Sequence, residues 1–201
     1  MIDRLIKEID IALENNLFLV ALNTALTLPD ICGKAEYPDI SDKHNGVRYK
    51  KWYQEHIGQY EQSPLDLREG VTMPYLSADV VYQLRCEMLH QGNPNVSKSK
   101  TGIDKFTLWV QKANPFGFYG DTASVSLSGE PCKTYNVSVR RLCLLLCRTA
   151  ENYYNNNKEK FAFFNYTIFD LDVRNELIRN KHKELEKEAK EIQAMLKGER
   201  L

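Results

Sequence analysis

Leu17–Leu28 reads LFLVALNTALTL, a run that is apolar nearly all the way round a helix. A helix of that composition has to be covered on every side, so it belongs at the centre of a bundle. A second strongly apolar stretch, RRLCLLLCRTAENYY at 140–154, follows a capping position at Ser138. Two such segments dictate a mainly α fold. The 201 residues are enough for a single domain with a substantial core. We therefore expect a helical bundle over about 1–95 and 138–157.

Other helices follow from spacing and caps. Leu5, Ile6, Ile9 and Leu13 keep helical periodicity after Ile2. The first apolar run is expected to stop at Pro29, and CGKAEYPDIS reads as loop from its Gly, Pro and Asp content. Ser41 or Asp42 caps a helix running to about Tyr60, and another starts near Ser77 and ends at Gly92, before Pro94. In the middle, KFTLWVQ, ASVSLSG and CKTYNVSV are rich in strand formers and separated by Gly and Pro. They predict a small antiparallel β insertion over about 103–137. NNNKEKFAFFNYTIF is a polar connector into an aromatic segment expected to pack back on the core.

The last segment predicts a long charged helix over about 170–199. Leu171, Ile178, Leu185 and Ile192 recur every seven residues, with Asn175, His182, Ala189 and Leu196 between them. That spacing makes a helical seam, but two of its eight positions are polar. The pattern favours a helix lying on its own domain or in solvent over a coiled coil, and leaves the helix as a surface for a protein partner.

Charge and cysteine content exclude several classes. Twenty-seven basic and 27 acidic residues cancel, so a polyanion site has to be a local patch. LFLVAL is too short to cross a bilayer, and no membrane association is expected. The five cysteines form no Cys-x-x-Cys pair, which fits a reducing cytoplasm without disulfides, a metal site or a cofactor. His44, His56, His90 and His182 have no metal-ligand spacing.

One stretch carries chemistry: YQLRCEMLHQGNP, Tyr82 to Pro94. On an ideal helix Val80, Val81, Leu84 and Met88 form the core stripe, and Arg85 and His90 bracket a second face of Tyr82, Cys86 and Leu89. That face needs a cover, either the chain itself or a second subunit in a homodimer. Five residues of α-helix separate Arg85 and His90 by about 140° and 7.5 Å, yet both can line one pocket because arginine is long. An imidazole in the last helical turn can take or give a proton near neutral pH. A guanidinium beside it can hold a phosphate and stabilise the charge that builds there. On a purely structural reading, His90 caps the helix end and Arg85 pairs with Glu87 or a neighbouring helix. Upstream, RYKKWYQEH interleaves Arg48, Lys50 and Lys51 with Tyr49, Trp52 and Tyr53. Trp52 reads first as a bundle anchor with lysines extending past it. Arg48 and Lys51 are the candidate substrate contacts if RNA is bound.

Arginine, four residues and histidine near the end of a bundle helix resembles the active motif of the HEPN superfamily, and LRCEMLHQG with upstream RYKKW is similar to a group of bacterial and prophage-borne proteins. The resemblance implies an all-helical domain, often dimeric, and marks Arg85 and His90 as the catalytic candidates of a metal-independent endoribonuclease of a phage-defence or toxin type, or of an inactive relative of one. Cys86 departs from the pattern, where a polar residue is usual. The alternative is a non-catalytic protein–protein interaction module.

Overall fold

A computed structural model describes residues 1–61, 76–91, 102–112, 120–125, 129 and 131–196. The expected helix end at Gly92–Pro94 and the last residues of the C-terminal helix lie outside these. The chain divides into two compact units, Met1–Asn165 and Tyr166–Leu201.

The first unit is mainly α. Helix α1 (Ile2–Glu14) buries Ile2, Ile6, Ile9 and Leu13, as its spacing predicts. It ends where Asn16 takes a positive φ of 61°, a conformation that asparagine tolerates better than most residues. Helices α2 (Phe18–Ala25), α3 (Leu28–Glu36) and α4 (Asn45–His56) follow, then α5 (Ala78–Cys86), which continues as a π-helical turn over Glu87–Gln91. Ser77 caps α5, its Oγ accepting from the Val80 amide at 3.3 Å. Helix α6 (Val139–Asn156) buries Leu142, Cys143, Leu146, Cys147 and Ala150, and packs against α1, α2 and α3. Trp52, Tyr49 and Tyr53 of α4 are wholly buried, which makes Trp52 the anchor the sequence suggested. Each such side chain contributes about 2 kcal/mol or more of apolar burial.

Three expectations are corrected. The apolar run at 17–28 is not one central helix. α2 is eight residues long and buries Ala21, Leu22 and Ala25, whereas Leu17, Leu19 and Val20 are exposed. Second, Pro29 opens α3 rather than stopping a helix, and CGKAE is helical. A first-turn proline loses no hydrogen bond there, because its amide would be an orphan anyway. Gly33 within α3 answers to packing: a Cβ there would lie 3.0 Å from the Arg48 carbonyl oxygen, so the glycine lets α3 and α4 approach closely.

Third, the sheet is mixed. Strands β1 (Lys105–Trp109), β2 (Gly120–Val125) and β3 (Pro131–Ser138) lie in the order β1-β3-β2. β2 pairs antiparallel with β3, Thr122 opposite Thr134, but β1 pairs parallel with it, Phe106 opposite Tyr135. Successive strands still reverse direction. With β3 inserted between the other two, its neighbour β1 runs the same way, and only a sequential β1-β2-β3 order would have been wholly antiparallel. β3 leads directly into α6, and Arg140 in the first turn of α6 donates from Nη2 to the Leu13 carbonyl at the end of α1 (2.9 Å) and from Nε to the Gln111 carbonyl (3.0 Å). A cation at a helix C-terminus is favourably placed.

In the connector after α6, Phe161 is buried while Phe163 is exposed. The second unit contains α7 (Leu171–Leu196), whose residues from Leu171 to Lys190 are all exposed. No helix among the described residues is long and apolar enough to cross a membrane.

Candidate functional site

Arg85 sits near the end of α5, facing α3. Its Nε donates to Asp30 Oδ2 at 3.0 Å, and Nη2 lies 2.9 Å from the same oxygen in an ion pair. The side chain is 12% exposed and that of Asp30 22%. Burial works against the Arg85 charge, but the Asp30 carboxylate outweighs it and holds the guanidinium more firmly protonated than usual. Pairing with a neighbouring helix is the role that the structural reading of the sequence assigned to Arg85. Asp30 is its positioning partner, and no local signal reveals the pairing, since the two are 55 positions apart.

The surroundings are aromatic. The Arg85 guanidinium lies 5.9 Å from the Tyr82 ring centroid, and Tyr82 packs on Tyr49 at 5.3 Å. The wholly buried Tyr49 hydroxyl has no hydrogen-bond partner among the described residues. Burial, with Asp30 adding to it, drives its pKa well up. Tyr82 reaches α4 closely enough that a Cβ at Gly46 would lie 2.5 Å from its hydroxyl oxygen. Its face of α5 is therefore covered by α4 of the same chain. Tyr82 thus needs no second subunit to cover it, while Cys86 and Leu89 remain partly exposed.

His90 is the fourth residue of the π turn Glu87–Gln91. Its side chain lies outside the described residues. The backbone nevertheless changes the expected spacing. A π turn closes on i→i+5 hydrogen bonds, so a residue five positions on returns nearer the same helix face than in an α-helix, and such turns are frequent at functional sites. The 140° expected of an unbroken α-helix therefore does not describe positions 85 and 90, because the π turn over Glu87–Gln91 intervenes. Glu87, in the same turn, is buried, and its Oε2 has no partner among the described residues.

The two candidate substrate contacts fare differently. Arg48 is buried, donating from Nη1 to the Ile40 carbonyl at 2.8 Å and from Nη2 to Asp42 Oδ1 at 2.9 Å. It braces the turn before α4, and this correction removes it from the substrate contacts. The cause is its position on the α4 face that meets α3. Lys51 is exposed, with its Nζ 4.1 Å from the Tyr37 ring centroid.

A second polar site was not foreseen. Between α3, α4 and α6 a cleft of about 590 Å³ is lined by Glu36, Glu55, His56, Arg148, Tyr153 and Lys160, among others. His56 Nε2 lies 2.7 Å from Glu36 Oε2, and the imidazole stacks on Trp52 at 4.9 Å with the Tyr153 ring edge-on at 5.2 Å. Tyr37 donates to Glu55 beside it. The carboxylate and the rings fix the imidazole at the cleft wall. Helical spacing on α4 puts Trp52 and His56 on one face and was readable. Glu36 was not, since its segment read as loop.

Comparison with protein-family models, with curated proteins and with solved structures finds no match for this chain.

Proposed function

We propose that the chain is a HEPN-like, metal-independent endoribonuclease acting at the end of α5. The observation that supports this is the π turn over Glu87–Gln91, which breaks the α-helical spacing between Arg85 and position 90, and such turns are frequent at functional sites. In the reaction, the His90 imidazole takes the proton of a ribose 2′-hydroxyl. The freed oxygen attacks the adjacent phosphorus and the P–O5′ bond breaks. The 5′-oxygen leaves as a hydroxyl by taking a proton from the imidazolium, directly or through water, and a 2′,3′-cyclic phosphate remains. Arg85 stabilises the charge that builds on the phosphate. Asp30 keeps the guanidinium charged and aimed, and phosphate shares or displaces that contact.

The reading is tested by incubating purified protein with mixed RNA in chelator, beside His90→Ala and Arg85→Ala. Cleavage that disappears in both variants, with folding retained, supports it; equal cleavage in all three samples ends it.

A second reading places acid–base chemistry in the cleft, and the 2.7 Å contact between His56 and Glu36 favours it. His56→Ala separates the two: it leaves cleavage intact in the first case and removes it in the second.

A further inference from the structure

The apolar stripe of α7 is exposed in an otherwise charged helix. Leu171, Ile178, Leu185 and Ile192 are 46–62% exposed and fall at every seventh position. Over 26 residues that is more than three heptads, long enough for a two-helix seam although Asn175 and His182 interrupt its other position. An isolated helix in water is marginal, because most helical stability comes from packing one face. A partner for this face is therefore the economical explanation of its sequence.

The charges identify that partner. From Leu171 to Lys183 the helix has four basic residues (Arg174, Arg179, Lys181, Lys183) against two acidic ones (Asp172, Glu176). From Glu184 to Leu196 the ratio is inverted, with Glu184, Glu186, Glu188 and Glu191 against Lys187 and Lys190. This polarity is the reverse of what a lone helix gains from its own dipole. It suits a second copy lying antiparallel, the basic half of each helix along the acidic half of the other.

The register follows. With Leu171, Ile178, Leu185 and Ile192 at one seam position, Asn175, His182 and Ala189 occupy the other. Antiparallel pairing about the midpoint between Lys183 and Glu184 sets His182 against Leu185, Ile178 against Ala189 and Asn175 against Ile192 of the second copy. Each polar seam residue then meets an apolar one. The same register puts Arg179 beside Glu186 and Lys181 beside Glu188 of the other copy, each pair occurring twice by symmetry. A parallel pair would instead stack His182 on His182 and set Arg174 against Arg179. We infer that α7 is an antiparallel homodimerisation helix, a role that does not rest on the ribonuclease reading.

The test is the oligomeric state of the full chain by sedimentation equilibrium at low salt. The native chain is expected to be a dimer, and Leu185→Glu a monomer with unchanged circular dichroism from the rest of the fold. Arg179→Glu reports orientation: it weakens the antiparallel dimer on the order of ten-fold, and adding Glu186→Arg restores it. In a parallel pair the same change tightens association. A monomeric native chain, a dimer indifferent to Leu185→Glu, or a dimer tightened by Arg179→Glu overturns the inference.

Discussion

Arg85 on α5 donates a hydrogen bond from Nε to Asp30 Oδ2 on α3 at 3.0 Å, and its Nη2 lies 2.9 Å from the same oxygen in an ion pair. The contact joins two helices distant in sequence and fixes the guanidinium beside Tyr82. Asp30→Ala leaves a mostly buried cation without its carboxylate. Exposed pairs contribute under about 1 kcal/mol and buried ones cost about 3–5 kcal/mol when broken, so an intermediate loss of about 2 kcal/mol is expected. Urea unfolding with an unchanged slope checks it. In the ribonuclease reading the same variant lowers kcat more than it raises KM, because the positioning of Arg85 is lost.

Gly33→Ala is expected to destabilise the fold by about 1–2 kcal/mol, even though alanine is the better helix former by about 1 kcal/mol. The added Cβ meets the Arg48 carbonyl oxygen at 3.0 Å and its carbon at 3.2 Å, and backbone on a packed helix yields poorly. At Gly46 the obstacle is the tip of the Tyr82 side chain. Its ring atoms Cζ and Cε1 would lie 2.6 and 3.1 Å from the added Cβ of Gly46→Ala. Tyr82→Phe should therefore give little relief while Tyr82→Ala relieves the clash, and a thermal unfolding series over the single and double variants measures the difference.

Much of the bundle was legible. The 3.6-residue spacing of Ile2, Ile6, Ile9 and Leu13 and the Ser77 cap are local signals, and local signals set helices α1 and α5. α3 was missed because Pro29 and Gly33 are breakers by type. Their real roles, a first-turn proline and a close helix contact, depend on where α4 lies. The sheet order was illegible because direction follows from which strand sits in the middle, a long-range choice. For the site, the arginine and histidine were readable as a motif on one helix. Asp30, Glu36 and the burial of Arg48 depend on contacts between helices, which one sequence does not display.

Alkaline pH is expected to destabilise the protein. Burial raises the pKa of Tyr49 well above its ordinary value, and burial also raises those of Tyr37, Tyr82 and Tyr153. The unfolded chain loses these protons near pH 10 while the folded chain keeps them. Stability is thus full below about pH 10 and falls as pH rises from there toward the folded values. Tyr49→Phe should flatten that decline and cost under about 1 kcal/mol at pH 7, because the hydroxyl has no partner among the described residues. Melting temperatures from pH 8 to 11 check both statements.

Thiol chemistry should divide the five cysteines. Cys32, Cys143 and Cys147 are buried, and Cys86 and Cys132 are partly exposed. Burial pushes the Cys147 thiol up to about 12 and those of Cys32 and Cys143 higher still, so few thiolates form there at pH 8. Cys86 and Cys132 should react first with a thiol-specific chromogenic disulfide, and the other three only in denaturant. Rapid native labelling of Cys143, seen by mass spectrometry, would contradict the packing of α6.

The ends of the cleaved RNA test the account most directly. Native protein incubated with a defined RNA in chelator should leave 2′,3′-cyclic phosphate on the upstream fragment and a 5′-hydroxyl on the downstream one. Both should vanish in His90→Ala and persist in His56→Ala. Products ending in 3′-hydroxyl and 5′-phosphate, or cyclic ends that survive in His90→Ala, would contradict the assignment of proton transfer to the imidazole after the π turn.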